Sequence, residues 1–84
     1  MTTKEGLEAA RRLITKPEDW CQGDFYSGGA CCALGALKRV GAHGSERNLL
    51  REVMGTHEIG WYNDSHSHEC VLAAFDAAIE RCEP

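Results

Sequence analysis

The stretch Val71-Leu72-Ala73-Ala74-Phe75-Asp76-Ala77-Ala78-Ile79 decides the fold of this chain. Its apolar residues recur at helical spacing, and Cys82 continues the series after Val71, Leu72, Phe75, Ala78 and Ile79. Such spacing places the apolar side chains along one face of an α-helix. We therefore predict an amphipathic last helix, capped at its start by Asp64 or Ser65.

Three further helices are predicted upstream. The first covers residues 3–15, because Thr2-Thr3-Lys4-Glu5 has the capping-box pattern and Pro17 stops the helix. The second covers residues 30–40, carries hardly any polar side chain before its end and is expected to be central and buried. The third covers residues 46–54, between a capping Ser45 and a terminating Gly55.

The segments between these helices, residues 17–29 and 56–64, are predicted to be irregular. We expect a mainly α fold: one domain over residues 1–84, a compact bundle of about four short helices with ordered tryptophan-bearing loops. Trp20 and Trp61 are expected to close the core with their indole N–H bonded to a carbonyl, whereas an exposed indole would be the leading interface anchor. Gly35, inside a helix, predicts close approach of a neighbour such as the Trp61 loop.

The net charge and the cysteines of the chain limit the classes of function that we expect for it. The 84 residues carry 13 acidic against 9 basic side chains, a formal net charge of −4, with no Lys/Arg run. Because nucleic-acid affinity depends largely on neutralised phosphates, we expect no direct nucleic-acid binding. No apolar run is long enough to span a membrane. The cysteine count is odd, and Cys31 and Cys32 are adjacent, so we predict reduced thiols and a cytoplasmic protein.

Cysteine and histidine residues form two constellations that could carry chemistry. Cys32 lies near a predicted helix N-terminus, where a thiolate is favoured, and a histidine such as His57 could complete a Cys–His pair. The competing interpretation is a small core hydrophobe. His66 and Cys70 would share a helical face and could begin a metal site, but two more ligands would be needed, and the competing interpretation is a solvated first turn. We predict no catalytic residue, no metal and no cofactor.

Asn63 and Asp64 form a third candidate pair. They could serve as catalytic acid groups, but the simpler interpretation is a turn followed by an N-cap, because an aspartate at a helix start accepts hydrogen bonds from free amides. We predict the capping role.

Several segments, taken in order, also carry a resemblance. They are Pro17-Glu18-Asp19-Trp20-Cys21-Gln22-Gly23, Cys32-Ala33-Leu34-Gly35-Ala36-Leu37, Trp61 with Asn63-Asp64, and the 71–79 helix. Together they resemble an uncharacterised family of small bacterial and phage-borne proteins with a Trp-x-x-Gly segment, a Cys-Ala-Leu-Gly-Ala-Leu helix and a Trp-Asn-Asp loop. The resemblance covers most of the chain and implies a shared fold, but it carries no activity. Tyr62 interrupts the Trp-Asn-Asp run, and Ser65-His66-Ser67-His68 replaces an Arg-Thr pair.

The resulting hypothesis is a small non-catalytic module that binds another protein. Its predicted contact residues are the aromatic side chains of Phe25, Tyr26, Trp61 and Tyr62, since aromatics supply much interface energy. The resemblance suggests a special case, a phage or mobile-element accessory protein that inhibits a host defence complex, of the anti-CRISPR type. The alternative is a cysteine-dependent enzyme that uses Cys32 with a histidine. A homodimer through the last helix is an additional hypothesis.

Overall fold

The last helix of the computed structural model, which describes residues 1–82, packs against two others. This helix is α5, His68–Arg81, and it lies against α1, Thr3–Leu13, and α3, Gly44–Met54. The predicted stripe is confirmed, because α5 buries Val71, Ala74, Phe75 and Ala78. The predicted cap is wrong. The Ser67 hydroxyl accepts the Cys70 amide at 3.2 Å, whereas Asp64 and Ser65 belong to the preceding helix.

The first helix begins as predicted and ends two residues early. The Glu5 amide donates to the Thr2 hydroxyl at 3.1 Å, and the Thr2 amide donates to the Glu5 carboxylate at 2.8 Å, which completes the capping box. Leu7, Ala10 and, just beyond the helix, Ile14 are buried against the other helices. A short 3-10 turn, Pro17–Asp19, follows.

The second predicted helix is shorter than expected, because its first residues form a strand. β1, Tyr26–Ser27, pairs antiparallel with β2, Ala30–Cys31. Gly28 and Gly29 connect them with φ values of 54° and 91°, and a two-residue hairpin turn of this kind needs positive φ at both positions. α2 then covers Ala33–Arg39, and Cys32 is its N-cap. Burial of α2 is confirmed, since Ala33, Ala36 and Leu37 are inaccessible to solvent.

The third helix is capped differently from the prediction. α3 begins at Gly44 after an N-cap at His43, so Ser45 lies inside the helix, although Gly55 ends it in the left-handed conformation as expected. Glu46, in the first turn, is buried. Burial acts to raise the pKa of Glu46, but hydrogen bonds from the Ser45 hydroxyl and from the amides of Glu46 and His43 outweigh it and lower the pKa below its ordinary 4.5.

The predicted loop at residues 56–64 is largely a helix. α4, Ile59–Ser65, packs against α2 and α3 and buries Ile59 and Asn63. The described chain, residues 1–82, therefore has five α-helices and a small hairpin, against the four helices expected. Gly60, Asn63 and Asp64 have poor helix propensity, so tertiary contacts must stabilise this helix. Within the described residues, none of the helices is long and apolar enough to cross a bilayer.

Candidate functional site

A buried asparagine joins three separate segments on the side of the molecule that carries the hairpin. The Asn63 carbonyl oxygen accepts the Trp20 indole N–H at 2.7 Å and the Ala33 amide at 2.9 Å. Its amide nitrogen donates to the Cys21 carbonyl at 3.0 Å and to the Asp64 carboxylate at 3.1 Å. All the hydrogen-bonding capacity of this side chain is used. Asn63 thus fixes α4 against both the 20–23 segment and the start of α2.

The 20–23 segment also closes the end of α4. The side-chain amide of Gln22 lies 3.0–3.2 Å from the carbonyl oxygens of Asn63, Asp64 and His66, the acceptors that a helix end leaves unpaired. The Gly23 amide donates to the Asp64 carboxylate at 2.9 Å. The predicted turn and capping roles are therefore wrong. Asn63 and Asp64 lie within α4, where both side chains bind the 20–23 segment and Asn63 also binds the start of α2. Neither residue caps α5.

A cleft lies beside these contacts, between the hairpin side and α4. Its volume is about 300 Å³, and its lining is Gly23, Asp24, Phe25, Cys32, Gly60 and Asp64. Gly60 and Asp64 are one turn apart on α4, so they present the same face of that helix to the cleft. The lining thus combines two acidic residues, a thiol and one aromatic ring.

Three large apolar side chains besides the N-terminal Met1 are exposed on the segments that border this cleft. Trp61 is 58% exposed, Phe25 46% and Tyr26 45%. Phe25 lines the cleft, while Tyr26 and Trp61 each directly follow a lining residue. We call Phe25, Tyr26 and Trp61 the aromatic face. The exposed Trp61 indole does not close the core, and its position on α4 corrects the prediction that it lies in a loop.

The other tryptophan closes the core as predicted, but its indole N–H is bonded to an acceptor that the sequence does not predict. Trp20 is half-buried against the core, and its indole N–H is bonded to the side chain of Asn63. His68 lies beside it, with ring centroids 5.2 Å apart, and its Nε2 is 2.6 Å from the Ile14 carbonyl oxygen. A carbonyl only accepts, so this nitrogen donates the hydrogen bond. Trp20 and His68 therefore close one end of the α1–α5 interface.

Tyr62, the fourth predicted contact residue, is more covered than the other three. It is half-buried, and its ring stacks on that of His66 at a centroid distance of 3.8 Å. Burial raises the pKa of the Tyr62 hydroxyl, and the nearby Cys70 adds to the effect. His66 follows α4 and precedes α5, so it does not share a helix with Cys70 as predicted. No group of three or more metal-binding side chains occurs within residues 1–82.

Cys32 and His57, the predicted nucleophile and base, line different depressions. Cys32 is buried at the cleft, and its sulfur accepts the Gly35 amide at 3.2 Å. His57 lies between α3 and α4, in a depression shared with Asn48 and Arg51. Among the residues that the structure describes, no histidine is hydrogen-bonded to Cys32. The geometry gives Cys32 the role of a helix cap.

The electrostatic environment near the cleft disfavours negative charge on a thiol. Burial raises the pKa of Cys21, and the neighbouring Cys32, Cys31, Asp24 and Asp64 raise it further. Its Sγ donates to the Asp24 carbonyl at 3.4 Å. These contributions favour the thiol of Cys21 over the thiolate.

A larger depression, about 590 Å³, lies between the start of α1 and α3. Its lining residues include Thr3, Ser45, Asn48 and Leu49. The Thr3 and Ser45 hydroxyls are hydrogen-bonded to each other at 2.9 Å, and Ser45 lies 2.7 Å from the Glu46 carboxylate. These polar groups stabilise the junction of α1 and α3, so the smaller cleft with its exposed aromatic rings is the better candidate site.

Sequence reasoning missed the residues that shape the site. The sequence alone gives no role to Gln22, Asp24 or Gly60, and it places Asn63 in a turn. A helical signal was present, because Ile59, Tyr62 and Asn63 have the spacing of one buried helical face. Because Asn63 is polar, the apolar pattern of that face is incomplete, and the pattern alone does not predict the helix.

Comparison with known proteins gives one result. The model of a family described as a family of unknown function, DUF6197, matches residues 1–81, and the chain belongs to that family. No curated protein matches the chain, and no solved structure matches it.

Proposed function

We propose that this member of a family of unknown function is a non-catalytic module that binds another protein through its aromatic face. The observation that carries the proposal is the exposure of Phe25, Tyr26 and Trp61, all close to half exposed or more, on the two segments that border the cleft. Exposed apolar side chains that border a groove are typical of interaction sites. Aromatic side chains are also the commonest energetic anchors of protein interfaces.

Hydrogen bonds hold in place the elements that carry the aromatic face. The Tyr26 hydroxyl donates to the Gly35 carbonyl at 3.3 Å, and the Phe25 carbonyl accepts the Cys32 amide at 3.1 Å. The α4 helix that carries Trp61 is fixed by Asn63. A preorganised surface loses less conformational entropy on binding, which favours the use of these rings as anchors.

Affinity capture with matched variants tests the proposal. Tagged protein is incubated with lysate of the organism that carries the sequence, and captured proteins are identified by mass spectrometry. We expect a stoichiometric partner that is lost with Trp61→Ala and with Phe25→Ala but retained with Arg12→Ala, an exposed change on α1. Circular dichroism confirms that each variant folds. Capture that all three variants retain equally would contradict the assignment of the aromatic face. Light scattering separately tests the homodimer hypothesis.

A narrower form of the proposal concerns the biological role. The resemblance to small bacterial and phage-borne proteins supports a mobile-element accessory protein that inhibits a host defence complex, of the anti-CRISPR type. A plasmid-interference assay with and without expression of the chain tests it. Restored plasmid survival that Trp61→Ala abolishes would support this role, and unchanged interference across the defence systems of the host would contradict it.

The alternative is a cysteine-dependent enzyme, and one observation favours it. Cys32 lines the cleft and is bonded to a backbone amide at the start of α2. Iodoacetamide labelling at pH 6, followed by peptide mapping, distinguishes the two functions. Selective alkylation of Cys32 would indicate an activated thiolate. Slow, uniform labelling of all five cysteines would contradict the enzyme hypothesis.

A further inference from the structure

Two adjacent basic side chains lie over the exposed rings of the hairpin. The Lys38 ammonium is 4.3 Å from the centroid of the Phe25 ring, and the Arg39 guanidinium carbon is 4.9 Å from that of Tyr26. Both distances are in the range of cation–π contacts. We call these four side chains the basic edge. It places two positive charges beside the aromatic face of a chain whose net charge is −4.

Neither cation of the basic edge has an acidic partner within the described residues. Two other arginines do: Arg11 pairs with Asp76 at 2.6 Å, and Arg81 with Glu52 at 3.4 Å. Lys38 and Arg39 form no such pair within residues 1–82, and both are exposed. The N–H donors of both groups therefore remain available to a carboxylate from outside the chain.

The two residues that carry these rings are held against α2, Tyr26 through its hydroxyl and Phe25 through its backbone. The Tyr26 hydroxyl is bonded to the Gly35 carbonyl, and Gly35 lets the Phe25 backbone approach the helix closely, because a Cβ there would clash with the Phe25 carbonyl oxygen. A cation that rests on a fixed ring is already partly ordered. Less side-chain entropy is then lost when an anionic group binds.

We infer that the basic edge docks a segment of the partner protein that carries Asp or Glu side chains, and this inference rests on the proposed function. The aromatic rings would contact apolar groups of that segment while Lys38 and Arg39 pair with its carboxylates. A protein segment fits better than a nucleic acid. Asp24 and Asp64 line the cleft next to Phe25, so a continuous phosphate backbone that followed this surface would meet negative charge, whereas a peptide can match both signs.

The test is a two-dimensional NMR titration of the full chain with the acetylated and amidated hexapeptide Glu-Glu-Leu-Leu-Lys-Lys at 50 mM salt. We expect shift changes concentrated at residues 25–27 and 38–40, weakened at 300 mM salt by screening. The double variant Lys38→Glu/Arg39→Glu should lose roughly tenfold in affinity, from two exposed ion pairs. The matched variant Arg12→Glu/Lys16→Glu, which changes two exposed cations of the α1 region, should bind like the parent chain.

Three results would overturn the inference: no shift changes, equal weakening in both double variants, or tighter binding of a hexathymidylate at the same salt. The last result would identify a nucleic acid as the ligand. The capture experiment tests the proposed function separately from the acidic-segment inference. If Lys38→Glu/Arg39→Glu retains the captured partner while Trp61→Ala loses it, the aromatic face binds a protein and the acidic-segment inference alone is wrong. Loss of the partner in both, with folds intact, supports both.

Discussion

The α1–α3–α5 group and the region formed by the hairpin and α4 are stabilised by different interactions. In the first group, each helix buries apolar side chains that recur at helical spacing, for example Leu7 on α1, Leu50 on α3 and Phe75 on α5. The second depends on the hydrogen bonds of one side chain, Asn63, and on close backbone contacts. Apolar burial is distributed over many contacts, whereas the hydrogen-bonded region depends on a few groups. The two regions should therefore respond differently to substitution.

The largest effect is expected at the centre of the helical group. Phe75 is fully buried, so Phe75→Ala removes apolar contacts and leaves a cavity. We expect the free energy of unfolding to fall by about 3–5 kcal/mol, measured by urea denaturation. The matched change Phe25→Ala, at a half-exposed ring, should cost less than about 1.5 kcal/mol. Similar losses at both positions would show that the hairpin contributes as much as the core.

The next effect should identify Asn63 as the centre of the second region. Asn63→Ala leaves the Trp20 indole and the Ala33 amide without their acceptor, and we expect a loss of about 2–3 kcal/mol in the free energy of unfolding. Amide hydrogen exchange at Ala33 should accelerate more than exchange within α5. Asn48→Ala, an exposed asparagine on α3, is the control. Equal changes in the two variants would contradict the role of Asn63.

Two helical glycines allow the same substitution in opposite surroundings. Gly35→Ala places a methyl group against the Phe25 carbonyl oxygen, and we expect a loss of about 1–3 kcal/mol. Gly60→Ala meets no atom within 4 Å, so it should stabilise α4 by up to about 1 kcal/mol. Thermal unfolding of both variants gives the comparison. A stabilising Gly35→Ala would show that the hairpin is not held closely against α2.

The smallest effect concerns pH and the helical group. The pKa of Glu46 is lowered in the folded state, so its contribution to stability is present above its unfolded value of about 4.5 and is lost as the pH falls through the folded value. The stability difference between the parent chain and Glu46→Gln should therefore shrink between pH 6 and pH 3. Denaturation at several pH values measures it, with Glu80→Gln as an exposed control. A constant difference would show that ionisation of the Glu46 carboxylate does not change the free energy of unfolding.

The elements of this protein that depend on local signals are predictable from its amino-acid sequence. The apolar period of α5, the capping box of α1 and the left-handed Gly55 each act over a few residues, and each is confirmed. These features were predictable because helical spacing and capping depend on neighbours in the chain. The sequence does not decide whether Trp61 is exposed, and the structure shows that it is 58% exposed.

The region that carries the candidate site depends on contacts between residues far apart in the chain. α4 has weak helix formers, and it forms because Asn63 finds partners more than 25 residues away in the chain, among them Trp20 and Ala33. The hairpin at Gly28-Gly29 turned two residues of the predicted second helix into a strand, and Ser67 displaced the expected cap of α5. Each of these outcomes depends on hydrogen-bond partners or chain directions that exist only after folding. The spacing of apolar residues along the sequence does not by itself predict them.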